Sequence, residues 1–305
     1  MNRLLNGRCA PEIWRPRGFC RVAVVAFACI ALNAAAAQDR GPVRGPGRSR
    51  TAILANDRDA NARQAPVSDQ DTTRKEQTPL TLRDVIKYSE PSQKAMEDVK
   101  DYTAIFSKTE LIRGRQVRQE MEMKFRAKPF SVYFKYLTGP EAGRQAIYVD
   151  GKYGNKLVVK EAAGLGAIAG RLTFRLDDPK VMAENRYPVT NVGIGNLLKT
   201  AVTIWDRESK LEAAEVDVKF YPNAKIGELP VEAVELTHQK PLRDVKFQMS
   251  RVYFDKESKL PVRAERYGWP RPGEKAPLVE DYIYKKLKTN VKLTDAHFDP
   301  ATYGF

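Results

Sequence analysis

Hydrophobic and polar positions alternate most cleanly between Val117 and Val159. Val117, Gln119, Met121, Met123 and Phe125 make one largely apolar face, and Arg118, Glu120, Glu122, Lys124 and Arg126 make a wholly charged one. That is the pattern of a strand with one dry side. Lys128-Pro129 interrupts the ladder, since proline has no N–H to donate. Alternation resumes over Phe130–Leu137 with aromatic rings on both faces, and Gly139-Pro140 and Asp150-Gly151 supply turns before runs at Gln145–Val149 and Lys156–Lys160. The stretch predicts an antiparallel meander at the centre of a sheet.

The flanking chain adds strands at Tyr102–Ile112, Arg171–Leu176, Ala214–Tyr221, Val231–Gln239, Val245–Asp255, Leu260–Tyr267 and Val279–Leu287, with turns at Pro222-Asn223 and Asp255–Ser258. Thr81 is an N-cap before the stripe Leu82, Val85 and Ile86, which Ala95, Met96 and Val99 resume beyond Pro91, so one bent helix or two short ones are expected. Asp177-Asp178-Pro179 opens a short helix through an aspartate cap and a proline at the first helical position, with no need of a metal. Ile194, Leu197, Leu198, Ala201, Val202 and Trp205 recur at helical spacing and predict the main amphipathic helix over Gly193–Arg207. Between these elements, Gly164–Gly170 lacks the Lys-Ser/Thr of a phosphate loop; it is a flap over a cavity or a plain connection. The fold class is α+β, with about ten strands and two or three helices.

The N-terminal quarter has a different character. Arg15, Arg17 and Arg21 precede the uncharged run Val22–Leu32, and Ala35-Ala36-Ala37 offers small residues for a signal peptidase, so residues 1–37 are expected to be a leader cleaved before Gln38. An uncleaved anchor and lipidation at Cys29 are the alternatives. Residues 38–78 are rich in Arg, Gly, Pro, Asp and Gln with almost no large apolar side chain, and are expected to form a disordered basic linker, leaving 79–305 as the folded domain.

Charge and cysteine usage narrow the function. The chain of 305 residues carries a net charge of +14, and loss of residues 1–37 removes five Arg and one Glu, leaving 47 basic against 37 acidic side chains. A basic exported protein meets anionic lipid headgroups or acidic glycans, whereas export removes nucleic acid as a target. Cys9, Cys20 and Cys29 all lie in the leader, so the remaining chain has no disulfide, thiolate metal site or cysteine nucleophile. His238 and His297, the two histidines, stand in no spacing that makes a metal pair or a triad. Carboxylates occur as alternating outward charges, as in Glu120 and Glu122, or beside basic residues, as in Glu265 and Arg266, the usual signature of solvated faces.

The run Phe125-Arg126-Ala127-Lys128-Pro129-Phe130-Ser131-Val132-Tyr133-Phe134-Lys135, followed by Gly143, Ile147-Tyr148-Val149 and Gly151, resembles the core of a bacterial family called domain of unknown function 1571, and the likeness extends over Leu80–Phe305. That family is similar in architecture to the periplasmic lipoprotein carriers and outer-membrane lipoprotein receptors of the LolA and LolB type. The tail from Thr294 through Phe298-Asp299-Pro300 to Phe305 resembles the ending of many such carriers, where a phenylalanine before Asp-Pro plugs the sheet. The resemblance implies a curved antiparallel half-barrel with helices packed on or over its concave face, enclosing an apolar cavity. Candidates for the cavity lining are Met121, Met123, Phe125, Phe134, Ile147 and Val149 from the sheet and Ile194, Leu198 and Trp205 from the helix. Flexible methionine thioethers suit a ligand of variable shape.

The expected function is that of an exported, periplasmic or cell-envelope binding protein that holds a lipid, acyl chain or lipidated partner and performs no chemistry, with no catalytic residues, metal or cofactor. Two alternatives stand beside it. One is an envelope scaffold that meets an anionic membrane surface, a glycan or a protein partner through the basic arm; the other is a glycan hydrolase with paired carboxylates.

Overall fold

The computed structural model describes residues 80–211 and 216–305. The expected leader over 1–37, the linker over 38–78 and the start of the expected strand at Ala214 lie outside the described residues.

In chain order the elements are α1 (Leu82–Tyr88), α2 (Glu90–Glu97), β1 (Asp101–Ile112), β2 (Arg115–Arg126), β3 (Ser131–Tyr136), β4 (Gln145–Val149), β5 (Leu157–Lys160), α3 (Gly164–Ile168), β6 (Arg171–Phe174), α4 (Pro179–Met182), α5 (Ile194–Glu208), β7 (Val216–Ile226), β8 (Leu229–His238), β9 (Met249–Asp255), β10 (Pro261–Tyr267) and β11 (Leu278–Thr289). The strands form one open, curved antiparallel sheet in the order β6-β5-β4-β3-β2-β1-β11-β10-β9-β8-β7. Two meanders therefore meet where β1 pairs with β11, and the chain crosses from one edge of the sheet to the other between β6 and β7. That crossing carries α4 and α5 over one face, where α5 packs against α1, α2 and β10.

Local chemistry accounts for these elements. Thr81 and Asp84 form a reciprocal capping box at α1. Ser89 ends α1 and precedes α2, whose first turn holds Pro91, so the expected bend falls between two short helices. Asp178 caps α4 by accepting from the Lys180 N–H at 2.8 Å. On β2 the burial alternates as the sequence pattern requires, with Met121, Met123 and Phe125 inside and Glu122 exposed.

Two expectations need correction. Pro222-Asn223 is not a hairpin turn: β7 runs on to Ile226 past a bulge between Tyr221 and Ala224, and the chain reverses at Gly227, where φ is +58°. An edge strand tolerates a proline at a bulge because no outer neighbour needs its N–H. The strand expected from Val245 starts only at Met249, leaving Val245–Gln248 as a connection. Gly164–Gly170 contributes no residue to the lining of the cavity described below; it holds α3, whose Leu165 and Ile168 are 86% and 84% exposed.

Both faces of the sheet are covered near β3–β5. The main core lies on the face beneath the helices and includes Tyr102, Phe106, Met123, Phe125, Leu198, Trp205 and Phe254. On the opposite face, the C-terminal tail folds back so that Phe298 packs on Tyr133, Ile147, Val149 and Val158. Tyr303 stacks on Tyr133 with ring centroids 4.2 Å apart.

Candidate functional site

Between α5, the segment that precedes it and the inner face of the sheet lies a cavity of about 330 Å³. Its floor comes from alternate residues of β1–β5, since side chains two apart on a strand share a face. Phe106, Met121, Phe134, Ala146 and Leu157 make an apolar end, roofed by Val189, Val192 and Leu197. Along β1 the same inward row changes character: after Tyr102, Ala104 and Phe106 come Lys108 and Glu110, both buried. Across the β1·β11 pairing Lys108 faces Tyr282 and Glu110 faces Glu280.

Two glutamates directly opposite each other in a sheet repel, and here a network of cations and phenols offsets the repulsion. The Lys108 ammonium lies 3.3 Å from Glu110 Oε2, donates to the Glu184 carbonyl at 3.1 Å and contacts Asn185 Oδ1. Glu110 also accepts from the Arg186 backbone N–H at 3.0 Å and from the Tyr282 hydroxyl at 2.6 Å. Glu280, fully buried, pairs with Arg266, accepts from the Tyr187 hydroxyl at 2.9 Å and has Arg186 Nε at 3.4 Å. Burial pushes the Lys108 pKa below the ordinary lysine value against the pull of Glu110. Burial, with Glu280 and Glu110 adding to it, raises the Tyr282 pKa, so this phenol stays a neutral donor. Tyr187 shifts the same way, again chiefly through burial and then Glu280.

The N-terminus of α5 is fixed by two buried tyrosines in place of a side-chain cap. The Gly193 and Ile194 N–H groups donate to the hydroxyls of Tyr284 and Tyr102 at 3.0 and 3.2 Å. These bonds satisfy helix-terminal donors that have no partner within the helix. At the other end of α5, Glu208 lines the cavity and lies 3.2 Å from His238 Nε2, both side chains being buried. Tyr187, Asn191, Thr200, Arg207 and Lys246 form an exposed rim.

Of the residues expected to line the cavity, Met121 and Phe134 do so. Met123, Phe125, Ile194, Leu198 and Trp205 belong instead to the packed core beside it. Helix geometry explains the displacement. The most apolar stripe of α5, Ile194, Leu198, Ala201 and Trp205, is buried in the core, while the adjacent, more polar stripe of Leu197, Thr200, Ile204 and Arg207 meets the cavity. Ile147 and Val149 are corrected to the opposite face, under Phe298. Four of the five residues of β4 are buried, so alternation there does not distinguish inside from outside. Glu265 and Arg266, expected on a solvated face, are both buried: Glu265 joins Arg251 and Arg263 on one face, and Arg266 reaches Glu280 on the other.

Lys108, Glu110, Glu280 and Tyr282 escaped the sequence reading. Their signal was present as charged and phenolic residues on the inward register of strands whose neighbouring inward positions are apolar. Among the described residues, no cluster of three or more His, Cys, Asp or Glu side chains is placed to hold a metal, and no helix is long and apolar enough to cross a membrane.

Comparison with solved structures gives distant likenesses. MucB, known from Pseudomonas aeruginosa in complex with MucA, matches over 71% of this chain at 13% identity and TM-score 0.39, and the match spans 62% of the MucB chain. The lipoprotein LppX of Mycobacterium tuberculosis matches over 70% of this chain and 98% of its own at 12% identity and TM-score 0.40. A LolA superfamily protein of Nitrosomonas europaea matches over 72% of this chain and 98% of its own at 12% identity and TM-score 0.29. No curated protein matches the sequence. The sequence profile described as "Protein of unknown function (DUF1571)" matches residues 99–305, and the chain belongs to that family.

Proposed function

We propose that the protein is a non-enzymatic binding protein of the cell envelope that holds one acyl chain in the cavity between α5 and the sheet. The supporting observation is the cavity itself: about 330 Å³ of space whose one end is bounded by Phe106, Met121, Phe134, Ala146, Leu157 and Leu197. A well-packed core leaves few voids larger than a water molecule. Small-ligand pockets begin at roughly 300 Å³. A water occupies about 30 Å³ of liquid and a methylene is of similar size, so the space admits a chain of at least roughly ten carbons. The carboxylates near it are engaged by Lys108, Arg186, Arg266, Tyr187 and Tyr282, an arrangement unsuited to general acid catalysis. The leader-like residues 1–37 support export, and the basic stretch that follows supports contact with an anionic envelope surface.

Native mass spectrometry after incubation with monodecanoylglycerol tests this reading. One molecule should bind to the wild type, and none to Ala146→Phe, whose ring would occupy the apolar end. No adduct on the wild type, or equal adducts on both proteins, would contradict it.

A further inference from the structure

The cavity is apolar at one end only, and the charges at its other end do not cancel. Its lining includes the basic side chains Lys108, Arg207, Lys246 and Arg266 but only the acidic Glu110 and Glu208. The layer behind adds one of each sign, Arg186 and Glu280. The deep pairs leave one positive charge over: Lys108 pairs with Glu110, while Arg266 and Arg186 both pair with Glu280. A second surplus positive charge sits at the rim, where Arg207 and Lys246 stand against Glu208 alone among the lining residues. There Arg207 keeps only a 3.8 Å contact to Glu208, which is shared with His238, and Lys246 takes part in no ion pair among the described residues. Both side chains are exposed and reach the same opening from different elements, Arg207 from the last turn of α5 and Lys246 from the connection between β8 and β9.

A second observation places unmet polarity beside this floor, just outside the lining. Gln119 stands opposite Lys108 across β1·β2, is 4% exposed, and has no hydrogen-bond partner for either amide atom. A buried amide without a partner costs free energy. The cavity thus runs from an apolar end, through a polar floor, to a positively charged opening.

We infer that the ligand is a single-chain amphiphile with an anionic head, a carboxylate or a phosphate, held at the rim by Lys246 and Arg207 with its chain directed toward Met121 and Phe134. This rests on the acyl-chain reading above and adds the head group to it. Opposite charges at the mouth of a low-dielectric cleft attract such a head. Positively charged or neutral heads on the same chain gain nothing there.

The test keeps the chain at ten carbons and varies the head. Decanoate, decyl phosphate, monodecanoylglycerol and decyltrimethylammonium are titrated calorimetrically, below their micellar concentrations, into the wild type, Lys246→Glu/Arg207→Glu, and Lys225→Glu, which alters charge at an exposed site on β7 away from the cavity. At least one anion should bind the wild type about tenfold tighter than the neutral and cationic compounds. That preference should vanish in the double variant and persist in Lys225→Glu. Preference for decanoate alone identifies a fatty acid, and preference for decyl phosphate alone a phospholipid-type head. Equal affinity for all four, tighter binding of the cation, or a preference that survives the double substitution overturns the anionic head while leaving the chain site intact. Absence of binding by all four overturns the head and the chain together.

Discussion

Gly193 is the position at which one methyl group should test the whole placement of α5. Its backbone has φ +114° and ψ 148°, a region essentially reserved for glycine, and forcing a side chain into it costs about 1–3 kcal/mol. A Cβ there would lie 2.9 Å from Phe125 Cε2, 3.1 Å from Cζ and 3.3 Å from the Tyr102 hydroxyl. Phe125 cannot easily yield, since its ring stacks on Tyr102 at 4.8 Å and meets Phe130 edge-on at 5.3 Å. Overpacking of this kind costs about 1–3 kcal/mol more. Gly193→Ala should therefore destabilise the domain by about 2–6 kcal/mol, lowering the urea midpoint without changing the slope of the transition. Gly195→Ala is the control: it lies within α5, and its added Cβ meets only the flexible end of Met96 at 3.2 Å. Alanine's better helix propensity, worth up to about 1 kcal/mol, should leave that variant neutral or more stable. Far-UV circular dichroism with urea measures both. A loss below about 0.5 kcal/mol for Gly193→Ala, or equal effects at the two positions, would refute the fixed entry of α5 onto Tyr102, Phe125 and Tyr284.

Two further outcomes follow from the sheet. Met123→Asp buries an unpaired carboxylate in the main core and should cost about 4 kcal/mol or prevent folding, whereas Glu122→Gln on the exposed face should change stability by no more than about 0.5 kcal/mol; equal tolerance in urea melts would refute the register of β2. Alkaline pH should unfold the domain through its buried phenols. Burial pushes Tyr136 and Tyr267 from 10.0 up to about 12. Because the folded values are raised, the stabilisation is fully present below pH 10 and is lost as pH climbs from 10 through 12, at up to about 1.4 kcal/mol per pH unit per phenol. Urea melts from pH 8 to 11.5 measure this, and a stability that stays flat above pH 10 would contradict the burial of these rings.

The regular parts of the sheet were legible because one physical rule applied at a time. On β2 one face is wet and one dry, so Met121, Met123 and Phe125 declare the inside. The capping box at Thr81 and the stripe from Ile194 to Trp205 are equally local signals. Legibility failed where two surfaces compete for one strand. Ile147 and Val149 look like cavity residues until the C-terminal Phe298 covers their face, a contact between segments far apart in the chain. It failed again where burial and charge coincide. Lys108, Glu110 and Arg266 have the composition of a solvated face, and only the pairing of β1 with β11 and of β11 with β10 brings their partners together. For α5 the helical period was right, but the cavity lies beside the most apolar stripe and not beneath it. Packing consumes the strongest hydrophobes, so the space left for a ligand borders the next ones round the helix.

The direct measurement is the dependence of affinity on chain length. Isothermal titration of 1-alkanols from hexanol to tetradecanol should give a stoichiometry of one. Each methylene removed from water contributes at most about 0.8 kcal/mol. Affinity should therefore rise by up to roughly two orders of magnitude between six and ten carbons, then level off once the cavity is filled. Ala146→Phe should move that plateau to shorter chains or abolish binding. No binding at any length, or an affinity that does not change with length, would contradict a cavity built to hold one acyl chain.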